Sequence, residues 1–80
     1  MYHVFTREEL ELCHVAARRC ECGTERVLNA HTLGGGGEWR WDWICPSTHC
    51  DSGLEHAPAA VVDATRSALE RALREHRVVI

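Results

Sequence analysis

Five cysteines, at positions 13, 20, 22, 45 and 50, are the residues of this 80-residue chain best equipped for chemistry. Four of them form two close pairs, Cys20/Cys22 and Cys45/Cys50. Thiolates are soft ligands, and four that converge suit a tetrahedral zinc ion with bonds of ~2.3 Å. Such a site stabilises a small fold outright, because the metal binds only the folded arrangement well. An odd cysteine count disfavours a disulfide framework. The start, Met1 to Glu8, shows no basic stretch leading into an apolar one, which sets the expectation of a reducing, cytoplasmic setting. Two other readings stay open: reduced cysteines packed as small hydrophobes, which suits Cys13, and an iron–sulfur cluster.

The pairs need elements that bring them together. Glu25 to Leu33 reads as one strand. Glu38 to Ile44 reads as a second, with Trp39, Trp41 and Trp43 alternating against Glu38, Arg40 and Asp42. Gly34 to Gly37 supplies the turn between them. If that turn closes symmetrically, Leu33 faces Glu38, and the three tryptophans lie opposite Thr32, Ala30 and Leu28. The other face then carries Asn29, His31, Arg40 and Asp42, with Val27 beside Ile44. One cysteine pair precedes this hairpin and the other follows it, so both lie at its open end.

Helices flank the hairpin. Thr6 and Glu9 form a capping box, with Phe5 and Leu10 at the staple positions. The spacing of Leu10, Cys13, His14 and Ala17 predicts a helix running to Arg18 or Arg19. A second helix is expected from Pro58 to about Arg77, with Val62, Leu69 and Leu73 as its core stripe. Beside that stripe Val61, Ala64, Ala68 and Ala72 make a small-residue face able to accept a close partner. The expected fold class is α+β: a helix, a β-hairpin with zinc knuckles at its open end and a C-terminal helix, all in one zinc-stabilised domain spanning residues 1–80. A domain this small has little stability to spare without a staple.

On Cys20-Glu21-Cys22-Gly23, the tryptophan hairpin and Cys45-Pro46-Ser47-Thr48-His49-Cys50, the chain resembles the zinc-ribbon and treble-clef class of small zinc folds. The resemblance covers about residues 20 to 50. It implies a structural zinc held by Cys20, Cys22, Cys45 and Cys50, and binding of nucleic acid or another protein. The usual knuckle separates its cysteines by two residues, whereas here the separations are one and four. Cys13, His14, His49 or His56 is therefore an alternative ligand.

The net charge of −3 disfavours a general nucleic-acid binder. All nine basic residues are arginine, which points to a GC-rich bacterium or its phage as the source. Candidate contact residues are Arg18, Arg19, His31, Arg40 and Trp41, with Arg26 a further contact if the partner is nucleic acid. Trp41 belongs to a stripe that can serve either as core or as a stacking surface. The sequence holds no apolar run long enough to cross a membrane. It also lacks a His-Glu-x-x-His helix, a deaminase signature and a phosphate loop, so no catalytic activity is expected. The expected role is protein interaction, as a bacterial or phage regulator of a host protein. Nucleic-acid binding and homo-oligomerisation through the last helix are the alternatives.

Overall fold

Six elements follow one another in a computed structural model that describes residues 1–32, 37–48, 50 and 53–80. They are β1 (Tyr2–Val4), α1 (Arg7–Leu12), β2 (Val27–Thr32), β3 (Trp39–Ile44), β4 (Leu54–His56) and α2 (Ala59–Arg74). The strands form one antiparallel sheet in the order β1-β2-β3-β4. The fold class is α+β, as the sequence implies.

The central hairpin pairs Leu28 with Trp43, Ala30 with Trp41 and Thr32 with Trp39, the register expected from symmetric closure of the glycine turn. The expected facing of Leu33 and Glu38, and most of the glycine turn, lie outside the described residues. Trp41 and Trp43 are buried with Leu28 and Ala30. Phe5, Leu10 of α1 and Leu69 of α2 complete the core, and Trp39 packs against it. One face of the sheet is thus closed by both helices.

Helix α1 begins as expected. Thr6 and Glu9 exchange both capping-box bonds, and Phe5 and Leu10 are buried. It ends at Leu12, well short of Arg18. His14 takes a left-handed backbone (φ 57). The Val15 N–H returns to the Leu10 carbonyl (2.9 Å) and the His14 N–H to the Glu11 carbonyl (3.1 Å). This double closure satisfies the last carbonyls and lets Val15 pack on the core. Helix α2 ends the same way, with His76 left-handed (φ 56) and Arg77 N–H bonded to the Ala72 carbonyl (2.9 Å).

The small-residue face of α2 is mostly consumed by the fold. Ala72 is fully buried, and Val61 and Ala68 pack against the core, leaving Ala64 exposed. The close partner of this face is thus largely the protein's own core. Thr65, fully buried, returns its hydroxyl to the Val61 carbonyl (2.8 Å). Among the described residues no helix is long and apolar enough to cross a membrane.

Among the described residues no helix lies over the sheet's other face. That face presents Tyr2, Val4 and Leu54, each about half exposed. At its centre Asp42 is buried, its carboxylate bonded to His31 Nε2 (2.8 Å) and to His56 Nδ1 (2.6 Å). Burial pushes the Asp42 carboxyl up, but the bonds and charge of the two histidines outweigh that and hold it below its ordinary 3.8. A depressed carboxyl contributes stability above its unfolded value and loses it as pH falls through and below that value. Asp42→Asn is therefore expected to lower the urea midpoint at neutral pH. Its deficit against the parent protein should begin to shrink as pH falls below about 5. The two proteins are compared only at pH values where both still hold metal and unfold cooperatively, so that acid release of thiolate-bound metal does not enter. A deficit that does not change with pH would contradict the assignment.

Candidate metal centre

The segment entering β2 doubles back on itself. Arg19 bridges Glu25, the Arg26 N–H bonds the Arg18 carbonyl (2.8 Å), and the Cys20 N–H bonds the Thr24 carbonyl (2.8 Å). The tip turns at Gly23, whose N–H bonds the Cys20 carbonyl (2.9 Å) and whose φ is +91. A side chain there would be strained, which is why glycine follows Cys22. The tight turn presents Cys20 and Cys22 on one side despite their unusual spacing. After β3, the Cys50 N–H bonds the Ser47 carbonyl (3.4 Å), folding the second pair toward the first.

The outcome is a cluster of four thiols. The Sγ atoms of Cys20, Cys22, Cys45 and Cys50 all lie within 4.8 Å of one another. Cys20 and Cys50 are 3.5 Å apart, and Cys22 and Cys45 are 3.6 Å apart. Bonds of ~2.3 Å arranged tetrahedrally place sulfurs ~3.8 Å apart, so the donor set fits one zinc ion. The separations are far longer than a disulfide's ~2.05 Å, and none of the five cysteines is in a disulfide. They are also short for a cluster in which each cysteine holds a different iron. The geometry is consistent with a structural zinc site. Cys20 is buried, Cys45 and Cys50 are half-buried and Cys22 is exposed, so the site lies just beneath the surface.

Four crowded thiols resist ionising together. Hydrogen bonding with the side chain and then the backbone of Thr24 lowers Cys22. The Ser47 backbone pulls Cys45 down, but burial and the neighbouring thiols outweigh it and push Cys45 up to about 11. A divalent cation reverses this balance, because a coordinating thiol is deprotonated outright.

Arg26 is the residue that sequence reasoning did not place at the site. It opens onto β2, where an arginine usually points to water. Here it is buried, with Nη2 3.7 Å from Cys20 Sγ and Nη1 bonded to the carbonyls of Trp43 (3.2 Å) and Gly53 (3.1 Å). Its charge offsets thiolate charge and ties the cluster to β3. Outer-shell partners of this kind typically cost about 10- to 100-fold in metal affinity when removed. Arg26→Met is expected to weaken zinc retention by about that factor in a competition titration with a chelator. Unchanged retention would show that the guanidinium serves packing alone.

The other candidates fall in different places. Cys13, His14 and His56 are absent from the thiol group, and His49 lies outside the described residues. Arg18, in the stretch expected to be helical, is exposed and pairs with Glu55 (2.7 Å). Arg19 bonds the Gly23 carbonyl (2.7 Å). His31 is engaged by Asp42, and Arg40, across from it on β3, is exposed. Trp41 is a core residue with the Arg66 guanidinium 5.6 Å from its ring centroid, the first of the two roles that the stripe allows. These five residues do not form one patch.

No protein-family model, no curated protein and no solved structure matches this chain. A four-stranded sheet, two helices and a four-cysteine cluster nevertheless make it a small domain consistent with a zinc-ribbon-type metal-binding module.

Proposed function

We propose that this chain is a zinc-stapled protein-interaction module with no catalytic role of its own. The observation that carries the reading is the closed shell of four thiols. Among the described residues no histidine or carboxylate joins it, and a zinc with four protein ligands keeps no position for water or substrate. The metal then serves to hold β2, β3 and the segment leading into β4, and recognition belongs to the surface so held.

Protein is favoured over nucleic acid as the partner. Arg7 is paired with Glu25, Arg18 with Glu55 and Arg77 with Glu75, while Arg26 is buried. Four of the nine arginines are thus paired or hidden, and the net charge is −3, which disfavours tracking of a phosphate backbone. The uncovered sheet face, with Tyr2, Val4 and Leu54 exposed, offers apolar contact area instead.

The test is affinity capture from a GC-rich bacterial lysate, run in parallel with zinc-loaded and chelated protein at several salt concentrations. Proteins retained only by the zinc-loaded form, and at moderate salt, support the reading. Recovery of nucleic acid alone, falling steeply with salt, overturns it.

A further inference from the structure

The outer edge of β3 is only partly covered. Strand β4 pairs with Asp42, Trp43 and Ile44. The Ala57 N–H then reaches the Trp41 carbonyl (3.0 Å), and the chain turns away into α2 at Pro58. Ladder alternation sends the Trp39 amide and carbonyl to that same edge. Among the described residues no strand pairs with them there. An exposed edge of this kind is a template for an added strand.

A cleft of about 480 Å³ runs along this stretch. Its walls come from both sides of the sheet. Trp39, Trp41, Val62 and Arg66 belong to the side that the helices cover, and Arg40 and His56 to the uncovered side. An extended segment laid along β3 would send alternate side chains to these two sides. Each side offers it one guanidinium. Arg40 is exposed and has no ion-pair partner among the described residues. Arg66 is more than half exposed and reaches Asp63 only at 3.7 Å. The indole Nε1 of Trp41, a residue lining the same cleft, is buried with no acceptor among the described residues. Among the described residues of the lining Glu38 is the one acid.

We infer that this edge receives an acidic, extended peptide segment of a partner protein as an added strand. Arg40 takes a carboxylate on one side of the sheet and Arg66 takes one on the other. Main-chain pairing at Trp39 supplies the register, and the two arginines supply the preference for Asp and Glu. Peptide is favoured over a nucleic-acid strand because the site offers a backbone ladder and two separated cations instead of a continuous positive track. The inference rests on the protein-interaction reading and names the partner's chemistry for it.

The experiment selects a random nonapeptide library, displayed on phage, against the immobilised zinc-loaded chain. Selected peptides are then synthesised and titrated into isotope-labelled protein. The expected result is enrichment of alternating sequences rich in Asp and Glu, with the largest amide shifts at Gly37 to Trp41 and at the Trp39 and Trp41 indole N–H groups. Arg40→Glu with Arg66→Glu, both surface changes, should weaken binding by at least about tenfold while leaving the amide spectrum elsewhere unchanged. Selected peptides without acidic bias, or with shifts confined to other surfaces, overturn the edge assignment and leave the protein-interaction reading standing. Failure to select any peptide, together with an empty affinity capture, overturns both. A single-stranded oligonucleotide that shifts the same amides more strongly than the acidic peptides also overturns the inference.

Discussion

Cys20→Ser is expected to abolish zinc binding and cooperative folding together. The serine hydroxyl does not replace a thiolate as a zinc ligand. Cys20 is the most buried of the four, sits where the Arg26 guanidinium approaches and anchors the turn at Gly23. Structural zinc in small peptides contributes roughly 10 kcal/mol or more at neutral pH, comparable to the whole stability of an ordinary domain. Circular dichroism of the variant should show loss of strand signal and no sigmoidal thermal transition. Cys13→Ser is the control. Cys13 stands at the C-terminal end of α1, outside the cluster, and its replacement should keep both metal and transition. Equal behaviour of the two variants would contradict the account.

The second large effect is expected at Trp43. This side chain is only 2% exposed and lies beside Leu28, its partner across the hairpin, in the core that both helices close. Trp43→Ala removes the largest piece of a small core, at a cost of about 3–5 kcal/mol. In a chain this short that is most of the available margin. The zinc-loaded variant should unfold at a much lower urea concentration than the parent, with Trp39→Ala, at the half-buried end of the stripe, losing clearly less. Similar losses at the two positions would mean that the stripe does not taper from core to surface as described.

Much of this arrangement is legible in the residues. The alternation of Trp39, Trp41 and Trp43 fixes which face of β3 is buried, while the register rests on symmetric closure of the glycine turn, since a slip by two would also set small residues (Gly34, Thr32 and Ala30) opposite all three. Two cysteine pairs bracketing that hairpin must meet at its open end. The capping box at Thr6 and Glu9 is local chemistry and needs no tertiary context. Other features depend on contacts between distant parts of the chain. Strands β1 and β4 have three residues each, too few for a period to declare itself. Helix α1 stops early because His14 accepts a left-handed backbone so that Val15 can reach the core, and no glycine marks the place. Asp42 reads as a solvated residue on a polar face, and only the arrival of β4 brings His56 onto it. Arg26 likewise takes its role from Cys20, Trp43 and Gly53, partners spread over much of the sequence.

The central claim is that four thiolates hold one metal and that the fold depends on it. Its most direct test is cobalt substitution, followed by absorption spectroscopy and by native mass spectrometry of the zinc form. The account predicts one zinc per chain and, in the cobalt form, the tetrahedral bands and thiolate charge-transfer intensity of four sulfur ligands, both lost with the folded structure on chelation. A chain that folds cooperatively without metal, or whose cobalt spectrum shows fewer than four sulfurs, would contradict it.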